Sequence, residues 1–413
     1  RSLAPSCLFN PQRCRCPFSI KKVMMSLLYG VAAAIFSMAS ASRTTLSSAY
    51  AAFRGRYRSG EAGDLDAVPY VTRLALFKAH KAAVEVHNAQ PGISWVAEIN
   101  RFADFTEAEL GRMRGYRRVG GRWGGSNQEP AQQSSSFLEA QPERSVVESM
   151  DWRRHVHRSA APDFLRNQGG CGSCWAVAAA GALEMHTEIA GGRVELQAYQ
   201  QLVDCVPNPR HCGGTGGCAG ATAELAFQYV AGHGLRRASD YASAGTACGS
   251  AAPSMGPSTR IRGHVRLAVN ELDPVLRTLA TKGPLVASVD ATPWTFYKRG
   301  VLNSCGINAT VNHAVLMLGY GTDPKHGKYF LIRNSWGPDW GEDGYIRLAR
   351  HDTDKGLEGH CGVDRDNQAG VGCDGDPREV PVCGMCGVLS DSSYPTGVHI
   401  TPASSMRGEP HTF

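Results

Sequence analysis

The chain carries no basic run. Its 43 lysines and arginines are scattered among 37 aspartates and glutamates, which leaves a net charge of only +6 over 413 residues. Without a basic stripe interleaved with aromatics there is no nucleic-acid footprint, and no nucleic-acid partner is expected. A zinc site at the pair Cys171 and Cys174 would need a matching second ligand pair at ordinary spacing. A redox pair would call for a thioredoxin-like strand ahead of it. Cysteine itself is plentiful. Fourteen are too many for a reduced cytosolic enzyme without a metal, and they point to an oxidising compartment. Hydrophobic residues at 42% allow a sizeable core, 47 glycines imply many turns, and the length admits two or three domains.

One stretch organises the rest: Asn167-Gln168-Gly169-Gly170-Cys171-Gly172-Ser173-Cys174-Trp175, running into Ala176-Val177-Ala178-Ala179-Ala180. Glycine-bearing turns feeding an alanine-rich segment place Cys174 in the first turn of a helix. The positive end of a helix dipole favours thiolate, and thiolate is the nucleophile for a carbonyl carbon.

The segment Cys171-Gly172-Ser173-Cys174-Trp175, with Gln168 shortly before it, resembles the nucleophile segment of papain-family cysteine proteases. His313 follows roughly 140 residues beyond Cys174, and Asn334, in Asn334-Ser335-Trp336-Gly337, roughly 160 beyond. The resemblance implies a Cys174 thiolate and His313 imidazolium pair, which acylates through a thioester. His313 protonates the leaving amine, and Asn334 orients the imidazole. Trp336 covers that bond. The oxyanion falls to the Gln168 side chain and the Cys174 backbone N–H. Protein and peptide substrates follow, and no cofactor is called for.

Residues 1–41 read as a leader. Lys21-Lys22 precede an apolar run over 23–39, and Ala39-Ser40-Ala41 resembles a cleavage site, so a secretory signal is expected, with an uncleaved anchor as the alternative. Translation starting at Met24 or Met25 would remove Cys7, Cys14 and Cys16. Residues 49–110 show helical spacing, in Tyr50, Phe53 and Tyr57 and again in Val71, Leu74, Phe77, Val84 and Asn88, which predicts two amphipathic helices. Arg73, Phe77, Val84 and Asn88, followed by Asn100, Phe102 and Asp104, are similar to the inhibitory propeptide of cathepsin-L-like zymogens. Pro69, His80 and Glu98 depart from that pattern. Residues 111–146, rich in glycine, serine and glutamine, read as an exposed, cleavable linker. Its removal would start the mature chain near Val147.

Residues 147–400 then form the peptidase domain, with 401–413 as a tail. Helices are expected at 174–191, 197–203 and 222–232, and short strands at 285–289, 314–318, 329–333 and 345–348. Helices followed by strands predict an α+β protein. The resemblance sharpens this to a two-lobe fold, a helical left lobe and a β-barrel-like right lobe, with Cys174 and His313 facing across the cleft. It implies a substrate edge at Gly220 and Ala221. It also implies a pocket for the second residue before the scissile bond, lined by Thr222, Ala223, Ser288, Val311 and Ala314 with Asp391 at its base. A carboxylate there would accept basic as well as apolar side chains.

Apart from Cys174 the mature region holds ten cysteines, an even number. The resemblance implies Cys171–Cys218, Cys205–Cys248 and Cys305–Cys386. Cys212 in a glycine-rich loop, and Cys361, Cys373 and Cys383 in an insertion spanning 351–385, are extra. Three pairings are open to these four, with a zinc site as the metal alternative. Asn308-Ala309-Thr310 matches a glycosylation acceptor. The reading is a secreted or lysosome-like endopeptidase, monomeric, free of the membrane once mature, and inhibited by its own propeptide. An inactive homologue would be expected to have lost Gln168, Cys174, His313 or Asn334. An exopeptidase of this fold needs a histidine-bearing loop after the third helix, and 232–248 holds only His233.

Overall fold

The computed structural model describes residues 46–58, 68–116, 146–157, 161, 164–192, 195–241, 248, 258–353 and 355–401. The expected leader, the body of the linker and the tail lie outside these. Among the described residues no helix is long and apolar enough to cross a membrane. Two compact units divide the chain, residues 1–78 and 79–413. The expected propeptide is thus split between them.

In the first unit the helix over 46–57 (α1) buries Tyr50 and Phe53, three residues apart on one face. Phe53 and Phe77 pack with ring centroids 5.0 Å apart. Phe77 belongs to helix α2 (Tyr70–Asn88), which runs on into the second unit. There the Asn88 side chain brackets Ala97, donating to its carbonyl at 2.8 Å and accepting its N–H at 2.9 Å. This fixes strand β1 (Trp95–Ala97), which lies antiparallel on the strand Tyr297–Leu302, Trp95 opposite Gly300. Helix α3 (Glu107–Arg114) opens with a capping box between Thr106 and Glu109. It closes at Gly115, whose φ of 95° is a conformation open chiefly to glycine. The expected linker therefore begins later than residue 111. Its first six residues complete α3 and enter the protein, because Met113, Arg114 and Tyr116 are buried.

Strand β2 (Met150–Asp151) leads to helix α4 (Cys174–Ile189), buried over nearly its whole length. Five alanines and Gly181 among its sixteen residues let it lie close against neighbouring elements. Helices α5 (Tyr199–Cys205) and α6 (Ala223–His233) complete the helical layer. Short strands β3 (Leu235–Arg236), β4 (Ser258–Arg260) and β5 (Gly263–Arg266) follow, then helix α7 (Leu272–Thr281).

The strand-rich layer comprises β6 (Leu285–Val289), β7 (Tyr297–Leu302), β8 (His313–Asp323), β9 (Gly327–Arg333) and β10 (Tyr345–Ala349). After the hairpin of β11 (Gly362–Asp364) and β12 (Val380–Val382), β13 (Ser392–Thr396) joins the sheet, and β14 (His399–Thr401) pairs with β4. The main sheet runs β1-β7-β10-β9-β8-β6-β13-β5, with β2 added on β8. Among the described residues it is an open sheet rather than a closed barrel. All its pairings are antiparallel except β7 with β10. The register places Val289 opposite His313 and Ser288 opposite Ala314, which brings the expected base and the expected pocket wall side by side. Two buried apolar clusters result, one around α4 and α6 and one around the strands, with Cys174 in the first and Trp336 in the second.

Candidate active site

Cys174 is the first residue of α4 and is fully buried. Its Sγ accepts the Ala314 N–H at 3.4 Å and donates to the Arg114 carbonyl at 3.2 Å. His313 opens β8. Its Nε2 meets Asn334 Oδ1 at 2.8 Å and its Nδ1 meets the same Arg114 carbonyl at 2.7 Å. Asn334 Oδ1 also accepts the Ser335 N–H at 2.8 Å, which fixes the amide orientation and so puts a proton on Nε2. The Trp336 ring covers His313, centroids 5.2 Å apart. Cys174 Sγ and His313 Nδ1 thus converge on one carbonyl oxygen. A single proton serves both contacts: on Sγ the thiol donates to Arg114, and on Nδ1 the imidazolium does. Burial favours the neutral pair. It pushes the Cys174 thiol up to about 12 and the His313 imidazole down to about 4.

Gln168 is fixed through its Oε1, which accepts the Ser335 hydroxyl, and through its backbone N–H to the Ser335 carbonyl at 2.9 Å. Its Nε2 donates to the carbonyls of Met113 at 2.8 Å and Cys171 at 2.9 Å. Trp336 Nε1 donates to Met113 as well, at 3.3 Å. The strap 113–116 therefore crosses the whole site. Gly115 is the one residue type that fits there, because a Cβ would overlap Cys174 Sγ. The Arg114 oxygen faces His313, while the Gln168 amide is spent on the preceding carbonyl. The Arg114–Gly115 bond is consequently not oriented with its oxygen toward the oxyanion donor, and the strap blocks the site without presenting a reacting carbonyl.

The expected substrate edge and pocket lie beside the strap. A Cβ on Gly220, at φ 97°, would overlap the Gly115 and Gly213 carbonyls. Ala221, Thr222 and Ala223, at the start of α6, are buried, as are Val311 and Ala314. Tyr116 enters the pocket, hydrogen-bonding through its N–H to the Asn312 carbonyl at 3.1 Å and placing its hydroxyl 3.0 Å from Ser288 Oγ. Ser288 donates to Asp391 Oδ2 at 2.6 Å. Asp391 is buried, and burial together with the nearby Glu224 charge pushes it up to about 6. Asp391, the carboxylate expected at the pocket base, is paired with Arg266 at 3.2 Å. Arg266, Glu224 and the strap 113–116 carry no motif of their own, so pattern alone did not expose them.

The bridges Cys171–Cys218, Cys205–Cys248 and Cys305–Cys386 are present. Of the open pairings, the structure has Cys212–Cys373 and Cys361–Cys383. Cys174 is the free cysteine among the described residues.

The papain family cysteine protease model matches residues 146–371. A cathepsin L-like protein of Caenorhabditis elegans is 34% identical over 304 residues, 71% of this chain and 83% of that protein. Cathepsin L of Sarcophaga peregrina is 31% identical over 310 residues, 70% and 84% respectively. Among solved structures, the ragweed pollen allergen Amb a 11 cysteine protease in its proform has a TM-score of 0.61 at 26% identity, covering 85% of this chain and 92% of that one. The recombinant stem bromelain precursor has a TM-score of 0.59 at 28% identity, covering 85% and 99%. With a family match over more than half its length and proform relatives in which a propeptide accompanies the protease, this chain belongs to the papain family of cysteine proteases and is a cysteine endopeptidase made as a zymogen.

Proposed function

We propose that Cys174 attacks the scissile carbonyl, His313 takes and returns the proton, Asn334 holds the imidazole, and Gln168 with the Cys174 N–H stabilises the oxyanion. The observation that carries this is the Arg114 carbonyl, 3.2 Å from Cys174 Sγ and 2.7 Å from His313 Nδ1, a peptide group already seated between nucleophile and base. Once the strap leaves, water and substrate reach the pair and its proton passes from sulfur to imidazole. Processing within 117–146 yields a mature chain from about Val147. Residues 147–400 form the peptidase, with 351–385 an insertion in it. The mature enzyme works as a monomer in a lysosome-like or extracellular compartment, where five disulfides persist. Gly220, Ala221, Thr222, Ala223, Ser288, Val311, Ala314, Asp391 and Trp336 form the substrate-binding surface. Tyr116 supports the pocket assignment: it lies two residues, a span of about 7 Å, along the strap from the Arg114 carbonyl between Cys174 and His313, and its hydroxyl reaches Ser288. The test is the full chain shifted to about pH 5, followed by gel and by cleavage of a fluorogenic dipeptide amide. Loss of the first 146 or so residues with activity that Cys174→Ala abolishes is the expected result. A fully processed chain inert toward every peptide would overturn the catalytic assignments.

A further inference from the structure

Behind the pocket holding Tyr116 lies a cavity of about 630 Å3. Thr222, Val311 and Asp391 form its near side, and the insertion, through Asp364, Val371 and Val380, its far side. The insertion is pinned there by Cys212–Cys373 and by two contacts to Val311, whose N–H goes to Asp364 Oδ2 at 3.2 Å and whose carbonyl accepts from Val371 at 3.0 Å. Arg266 reaches in from β5 and takes Asp391 Oδ1, while Ser288 takes Oδ2. Glu224, on α6, is a second carboxylate in the lining, accepting the Ser393 hydroxyl at 2.5 Å.

Resting on the catalytic reading above, we infer that Arg266 sets the choice of substrate side chain two residues from the scissile carbonyl, barring lysine and arginine and favouring tyrosine. A buried carboxylate at a pocket base attracts a cation, and here the protein supplies that cation itself. A basic substrate residue would either place two like charges on one desolvated carboxylate or evict Arg266. A tyrosine needs neither. The Ser288 hydroxyl has spent its proton on Asp391, so its free lone pair accepts the phenolic O–H, as it does for Tyr116 at 3.0 Å. Phenylalanine fits the same space and leaves that lone pair unfilled. The partition is a charge lock backed by space: Asp391, Glu224 and Arg266 all line the cavity of about 630 Å3, so shortening Arg266 leaves both carboxylates facing that space.

The test uses processed enzyme and fluorogenic peptide amides carrying Tyr, Phe or Arg at that position. Wild type is expected to prefer Tyr over Arg at least tenfold in kcat/KM, with Phe between. Arg266→Gln is expected to lower the Tyr-to-Arg ratio at least tenfold, chiefly through KM for the Arg peptide. Arg266→Lys, which keeps the ion pair, is expected to retain the preference. The inference is overturned if wild type cleaves the Arg peptide as well as the Tyr peptide, a result that needs no variant. It is also overturned if Arg266→Gln keeps the wild-type ratio, or if Arg266→Lys loses it as completely as Arg266→Gln. Wild type inert on all three peptides would instead overturn the catalytic reading.

Discussion

The backbone carbonyl of Arg114 occupies the hydrogen-bonding position of His313 Nδ1, 2.7 Å away. The chain's own propeptide occupies the ring nitrogen that, on the proposed mechanism, would take the proton. Activation is therefore the release of one hydrogen-bonded strap, held by Met113, Arg114 and Tyr116 against Gln168, Cys174 and Asn312.

The tightest point of that strap is Gly115. Gly115→Val adds side-chain atoms where even a Cβ overlaps Cys174 Sγ, at a φ that costs other residues about 1–2 kcal/mol. The strap should lift. Alkylation of Cys174 in the full-length chain at neutral pH, followed by peptide mass mapping, should run at least tenfold faster than in wild type. An unchanged rate would mean the strap is not what shields the thiol.

Acid should loosen the covered state through His313. Its folded pKa, about 4, lies below the ordinary 6.5, so the opened or unfolded form binds the proton first as pH falls. The stability is complete above pH 6.5 and is lost toward pH 4, by at most about 3 kcal/mol. Asp391, pushed up to about 6, works in the opposite sense: its contribution is complete below 3.8 and lost as pH rises through 6. Thermal melts of the full-length Cys174→Ala variant and of the Cys174→Ala, His313→Gln double variant separate the two. Between pH 7.5 and 4.5 the single variant should lose more Tm, and equal losses would remove His313 from the pH response.

Asn334 holds the imidazole through one hydrogen bond of 2.8 Å. Asn334→Ala leaves Nε2 without that acceptor and frees the ring. A loss of roughly ten- to a hundredfold in kcat/KM of the processed enzyme is expected, with the melting temperature nearly kept. A kcat/KM within twofold of wild type would relieve Asn334 of its positioning role.

Next to it, Arg333 fastens the strand that carries Asn334 to the segment that carries Cys174. Its buried guanidinium donates to the carbonyls of Phe164 at 3.0 Å and Val177 at 2.9 Å. Arg333→Met should cost about 3 kcal/mol, since both acceptors lose charged donors. Urea unfolding of the Cys174→Ala background reads this directly, and a midpoint unchanged from that background would show the fastening to be dispensable.

The residues that meet at the candidate site were legible because each sits in a short local pattern: Cys174 after two glycine turns, His313 at a strand start, Asn334 before a tryptophan. The helices expected at 174–191, 197–203 and 222–232 match α4, α5 and α6 to within two residues at every end. Harder to read were features made by distant partners. Strand β1 has three residues and exists because β7 offers an edge for it. The strap 113–116 looked like linker because its burial depends on a cleft that the chain forms only later. The Arg266–Asp391 pair joins positions far apart with no shared pattern. The same holds for the two extra bridges, where parity gave the number and only the folded chain gave the partners.

The paired bridges of the insertion have a consequence for proteolysis. Cys361–Cys383 spans the hairpin, and Cys212–Cys373 ties its middle to a loop 161 residues earlier. A backbone cut anywhere between Cys361 and Cys383 therefore separates no piece. The nicked molecule would migrate as one band without reductant and as two with it, and the strand that lines the pocket floor would stay attached to the half that carries the nucleophile.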